Sequence, residues 1–133
     1  MSAPVRIGLL GCGTVGGAVV RQIAEGGATI ERASGHRLEI GPVLVRDLAR
    51  ARPGVDRALL TVDPADVVEA PDVRVVVEVM GGLEPTGDLL RRALRAGKSV
   101  VTANKQLLSR EGPGLLELAA ETGTELRFEA SVC

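Results

Sequence analysis

The chain is 133 residues long, enough for one domain with its own core and too short for two. Apolar residues make up 45% and charged residues 25%, with a formal net charge of −1, the balance of an ordinary globular protein rather than a disordered one. Acids and bases are interspersed, and one Phe with no Trp or Tyr leaves neither the basic stripe nor the stacking platform that a nucleic-acid binder needs.

Apolar stretches such as Val73 to Met80 fall far short of the ~20 residues of a membrane span, and no basic segment leads into an apolar run at the start. A membrane or secretory protein is therefore not expected. Cys12 and Cys133 make neither a disulfide framework nor a metal-ligand cluster, which suits a cytoplasmic protein. Arginine outnumbers lysine 14 to 2, so Lys98 and Lys105 stand out, either as chemistry or as solvated surface.

Val5 to Leu10 is a short apolar run ending at glycines, the pattern of a buried parallel strand. Val15, Val19, Val20 and Ile23 then recur at helical spacing, with Gly26-Gly27 as the expected stop and residues 28 to 36 as a polar connection. Leu38 to Val45 predicts a second strand, interrupted at Gly41-Pro42 by a bulge or a late start. Leu59 to Val62 is a strand candidate, and Asp63-Pro64 begins a short helix. The β-branched run within Asp72 to Met80 predicts a strand covered on both faces. Glu84 to Ala96 predicts a helix with Leu89, Leu90, Ala93 and Leu94 on one side and Gly97 at its stop. Ser99 to Thr102 predicts a strand, Leu115 to Thr122 a helix closed by Gly123, and Leu126 to Val132 a last strand. Strand and helix alternate, so the expected fold is α/β, a doubly wound parallel sheet of Rossmann type in one domain over residues 1–133.

Gly11-Cys-Gly13-Thr-Val-Gly16 follows the first strand and opens the first helix. Gly11 allows the tight turn, Gly13 lets backbone approach a pyrophosphate, and Gly16 lets helix and strand pack closely. The N–H groups of Thr14, Val15 and Gly16 would face the phosphates at the positive end of the helix. Strand before and helix after are the context this motif requires, which makes it a dinucleotide site rather than a plain turn. At the end of the second strand stand Arg46 and Asp47, about ten residues later than the common spacing. Arg46 suits the 2′-phosphate of NADP, whereas Asp47 suits the ribose of NAD. Arg50 and Arg52 either assist or lie on a solvated face.

Three later strand ends carry polar or glycine-rich residues on the same sheet edge: Val77-Glu-Val-Met-Gly-Gly82, Val100-Val-Thr-Ala-Asn-Lys105 and Phe128-Glu-Ala-Ser-Val132. Together with the glycine loop these segments resemble, in order and over essentially the whole chain, the amino-terminal part of homoserine dehydrogenases. The Gly-x-Gly-Thr-Val-Gly loop is shared by many dehydrogenases; Thr-Ala-Asn-Lys with Glu-Ala-Ser-Val is far more specific.

The resemblance implies the NAD(P)-dependent interconversion of L-homoserine and L-aspartate 4-semialdehyde, on the route to threonine, methionine and isoleucine. It implies Lys105 as the catalytic residue beside nicotinamide and substrate, with Gly81, Gly82 and Thr102 lining the cofactor. An ammonium there can polarise the aldehyde oxygen or help move the proton that accompanies hydride; its plainer role is a partner for phosphate or carboxylate. The resemblance also assigns Glu129 and Val132 to a sodium ion whose other ligands the family places beyond Cys133, so a closed site is not expected. A homodimer, the substrate-carboxylate contacts and a second catalytic lysine belong to the family's later substrate and dimerisation domain, absent from these residues. The chain alone is therefore expected to bind cofactor and to turn over homoserine very slowly or not at all, because positioning supplies about 7–11 kcal/mol of rate in favourable cases.

A non-catalytic NAD(P)-sensing module on the same fold is the alternative, but it has no need of Thr-Ala-Asn-Lys. An aspartate-semialdehyde or dihydrodipicolinate-type reductase would need a cysteine nucleophile or a histidine cluster. His36 falls in the polar connection, and Cys12 lies inside the glycine loop.

Overall fold

A computed structural model describes residues 4–50, 52 and 54–128. In chain order it contains β1 (Val5–Leu10), α1 (Thr14–Ser34), β2 (Leu38–Leu44), β3 (Leu60–Thr61), α2 (Ala65–Val68), β4 (Val75–Glu78), α3 (Thr86–Arg95), β5 (Ser99–Thr102), α4 (Lys105–Thr122) and β6 (Leu126–Phe128). The strands form one six-stranded sheet in the order β3-β2-β1-β4-β5-β6. All neighbours pair in parallel. The chain winds outward from β1 through β2 to β3, then crosses back to lay β4 on the other side of β1. That reversal opens a crevice at the carboxyl ends of β1 and β4, where ligands bind in sheets of this kind. The bulge expected at Gly41-Pro42 is present, since Ile7 pairs with Ile40 but Leu9 with Val43.

Helices cover both faces of the sheet. On one, Leu10, Val76 and Val100 pack against Val67 and Val68 of α2, Leu90 and Leu94 of α3, and Leu107 and Leu115 of α4. On the other, Ile7, Leu9 and Val43 pack against Val20 of α1. The α3–α4 approach depends on Gly87, whose missing Cβ would lie 3.0 Å from the Glu111 carboxylate and 3.2 Å from Leu107. Each fully buried leucine contributes about 1.5–3 kcal/mol through removal of its apolar surface from water.

Two helices run beyond the lengths read from the sequence. Gly26-Gly27 does not stop α1, which continues to Ser34 and ends at Gly35 in the left-handed conformation. Two interior glycines cost a helix only about 1 kcal/mol each, and Ile30 extends the apolar stripe one heptad beyond Ile23. Helix α4 starts at Lys105, ten residues before Leu115, and carries Pro113 inside it. The Gly112-Pro113-Gly114 triplet reads as a breaker, yet Leu107, Gly112 and Leu115 are all buried and hold both halves on one axis. Strand β4 is shorter than the β-branched run that predicted it, and the last strand is described as far as Phe128.

Lys98 is not a solvated surface charge. It is 4% exposed, and its Nζ donates to the carbonyls of Ala70 and, at 2.8 Å, Val73. Burial pushes its pKa down, and Asp72 opposes that shift. The ammonium ties the start of β5 to the loop preceding β4.

Candidate functional site

The glycine loop joins β1 to α1 at the mouth of the crevice. Gly11 has φ 101°, and a Cβ there would lie 3.1 to 3.2 Å from the Cβ, Cα and N of Met80. A Cβ on Gly16 would lie 2.9 Å from the Gly11 carbonyl oxygen and 3.3 Å from Val79. The fold itself demands both glycines. Gly13 differs: nothing in the protein lies within 4 Å of where its Cβ would stand. Its missing side chain therefore leaves space next to the start of a helix, on the solvent side of the loop.

That helix start is electropositive. Gly13 is the N-cap and provides no side-chain acceptor, and no acidic residue stands in the first turn. The N–H groups of Thr14, Val15 and Gly16 have no intrahelical carbonyl to bond, so they and the helix dipole suit an anion. Thr14 and Val15 are exposed and Gly16 is buried, as a loop wrapping a phosphate requires. The vacant position beside Gly13 and the uncapped N–H groups fit a dinucleotide pyrophosphate.

Across the crevice, β4 and β5 end in a connected polar network. Glu78 is only 1% exposed. Its Oε2 accepts the N–H groups of Met80 at 2.9 Å and Gly81 at 2.8 Å, and its Oε1 accepts the Thr102 hydroxyl at 2.5 Å. Thr102 Oγ1 in turn accepts the Asn104 N–H at 3.0 Å. Asn104 caps α4 by accepting the Leu107 N–H at 3.1 Å, while its amide donates to the Gly82 carbonyl at 2.7 Å. Thr86 donates to the Gly81 carbonyl at 2.6 Å. Gly81 and Gly82 have φ 75° and 80°, a double left-handed turn that only glycine makes without strain.

Lys105 is the first residue of α4 and is exposed. Thr102, by contrast, is buried with its hydroxyl turned to Glu78.

Arg46 follows β2 and is exposed, with the neighbouring Val45 N–H bonded to the Thr61 carbonyl. Asp47 accepts the Ala49 N–H at 2.9 Å and so stabilises its own loop. Arg52 folds back on the carbonyls of Asp47 and Arg50 at 2.8 and 3.0 Å, a structural role. Glu129 and Val132 lie outside the described residues. Among the described residues, no group of three or more His, Cys, Asp or Glu side chains could hold a metal ion. An open groove between α3 and α4, lined by Arg91, Arg110 and Glu111, lies away from these strand ends, and its Arg91 is paired with Glu84 and Glu111. Sequence reading did not single out Glu78 or Asn104, although a carboxylate inside a run of valines was a visible signal.

A parallel sheet in this order, with a glycine loop at its switch point and an uncapped helix behind it, defines a dinucleotide-binding domain. Residues 11–129 match the family described as homoserine dehydrogenase, NAD binding domain, and the chain belongs to that family. It is 45% identical over 129 residues to the homoserine dehydrogenase of Bacillus subtilis (strain 168), covering 96% of this chain and 30% of that protein. The Corynebacterium glutamicum homoserine dehydrogenase is 43% identical over 128 residues, with 96% of this chain and 29% of that one covered. Among solved structures, S. aureus homoserine dehydrogenase superposes with a TM-score of 0.89 at 43% identity, covering 97% of this chain and 33% of that chain. A homoserine dehydrogenase from Thiobacillus denitrificans gives a TM-score of 0.91 at 38% identity, covering 97% of this chain and 30% of that chain. The chain thus spans about 30% of the length of the relatives it matches.

Proposed function

We propose that these residues form the cofactor-binding part of an enzyme that interconverts L-homoserine and L-aspartate 4-semialdehyde with NADP(H). The observation that carries the reading is the empty position beside Gly13. The fold requires Gly11 and Gly16; Gly13 is uncrowded by the protein and stands at an uncapped helix start, where the close approach of a phosphate accounts for a residue without a side chain. The family match adds the reaction to that binding site.

When bound, the nicotinamide supplies or accepts the hydride at the substrate carbon. The chain's own residues orient and bind. Thr14, Val15 and Gly16 donate backbone N–H groups to the pyrophosphate, and Gly81 and Gly82 leave room for the cofactor to lie along the strand ends. Lys105 holds the substrate oxygen and carries the proton that must accompany hydride transfer, a role its ammonium donors suit. Thr102 acts from behind, through Glu78 and Asn104, which fits its burial. Arg46 receives the 2′-phosphate, which favours NADP over NAD; its exposure at the end of β2 supports that role. The substrate's remaining contacts and a homodimer interface belong to the whole enzyme that the family match implies. No helix among the described residues is long and apolar enough to cross a membrane, and the free Cys12 suits a reducing cytoplasm.

Calorimetric titration with NADPH and NADH tests the reading. NADPH should bind clearly tighter than NADH, and Arg46→Ala should remove most of that difference, about 10- to 100-fold for lost charge-assisted phosphate bonds. Absence of binding by either nucleotide would refute the cofactor site; equal affinities in the unmutated chain would refute only the role of Arg46.

A further inference from the structure

A buried carboxylate in a strand is costly unless every lone pair is used. Glu78 occupies a position where another valine would continue the run Val75-Val76-Val77, and it lies on the sheet face packed by α2, α3 and α4. Its acceptors are spent on three donors: two N–H groups of the turn after β4 and the hydroxyl at the end of β5. Through Thr102 and Asn104, the same chain of bonds reaches the first turn of α4 and returns to the Gly82 carbonyl. The loop so closed contains the two most conformationally free residues of the crevice, Gly81 and Gly82, and the helix start that carries Lys105. Glycine pairs sample many conformations when nothing holds them. At 1% exposure, Glu78 cannot itself reach a ligand in the crevice.

The geometry points to Glu78 as a positioning residue, one that fixes the Gly81-Gly82 turn against the Lys105 helix start and so shapes the nicotinamide half of the site without touching it. The inference rests on the cofactor reading above, and the adenosine half should be independent of it: Gly13 and Arg46 hang from β1 and β2, outside this network.

The test compares two ligands on the 133-residue chain by calorimetry: NADPH, and 2′-phospho-ADP-ribose, which lacks the nicotinamide. Thr102→Val breaks the bond to Glu78 at nearly constant shape, Thr102→Ser retains it, and Glu78→Gln leaves the turn with an amide in place of a carboxylate. Thr102→Val and Glu78→Gln should weaken NADPH about tenfold, the equivalent of one lost hydrogen bond, and leave the fragment within about twofold. Thr102→Ser should bind both ligands as the unmutated chain does. Equal weakening of both ligands would make the network a structural brace and overturn the inference; so would unchanged NADPH binding. If Glu78→Gln fails to fold, Thr102→Val alone decides. An unmutated chain that binds the fragment as tightly as NADPH overturns the inference alone, whereas one that binds neither overturns the cofactor reading first.

Discussion

Replacing both Gly26 and Gly27 by alanine should raise the stability of the protein. Both lie inside α1, with no positive φ, and nothing within 4 Å meets a Cβ at either position. Alanine therefore gains helix propensity and restricts the unfolded chain without steric cost, worth about 0.5–1 kcal/mol per site. The two sites share no packing partner, so their effects should add to about 1–2 kcal/mol. At an unfolding entropy of roughly 2.1 cal/mol/K per residue, that raises Tm by about 4–7 °C. The effect is readable because the buried residues of α1 (Gly16, Gly17 and Val20) all lie in its first two turns. Its distal half is held by intrinsic preference more than by packing. Thermal unfolding followed by far-UV circular dichroism measures it. An unchanged or lowered Tm in the double variant would mean that α1 does not run through these residues and that Gly26-Gly27 is a stop after all.

Gly13→Ala should cost at most about 1 kcal/mol of unfolding free energy, the loss of a favourable N-cap residue, while abolishing tight NADPH binding, whereas Gly16→Ala should cost about 1–3 kcal/mol through overpacking against the Gly11 carbonyl; melting and titration of the two variants separate the roles. Leu90→Ala, at a fully buried position of α3 facing the sheet, should lose about 2–5 kcal/mol in urea unfolding. Lys98→Met strips the Ala70 and Val73 carbonyls of their donor and should cost about 1–3 kcal/mol. The pKa of Lys98 is lowered from 10.5 in the folded state, so in the window below that value the unfolded chain holds more protons. Stability contributed by this residue therefore rises with pH through that window and is least below it. The difference in unfolding free energy between the original and Lys98→Met should grow on the alkaline side, and a pH-independent difference would contradict the assignment.

The strands were legible because each is a short apolar run ending at glycine or a polar cluster, and parallel strands buried on both faces leave that mark most clearly at Val5–Leu10 and Val75–Glu78. Even the bulge at Gly41-Pro42 could be read, since proline cannot donate in a ladder. Helix lengths were not legible at two places for one reason. Gly26-Gly27 and Gly112-Pro113-Gly114 are local breakers; the first pair costs only about 1 kcal/mol per glycine, and the second is outweighed by Leu107 and Leu115, buried on either side of it. At the site, the glycine loop and the end of β5 carried recognisable signatures. What the sequence could not convey was the division of labour: Thr102 faces inward to a carboxylate from another strand, and that pairing exists only once β4 and β5 lie side by side.

The two lysines have opposite surroundings, one sealed under a loop and the other at the rim of the crevice. Among the described residues, Lys105 is consequently the one exposed lysine side chain open to amine-directed reagents. A fluorophore or cross-linker applied to the unmodified sequence should attach at Lys105, and protection by added nucleotide, or its absence, would tell whether that side chain lies beside the bound cofactor.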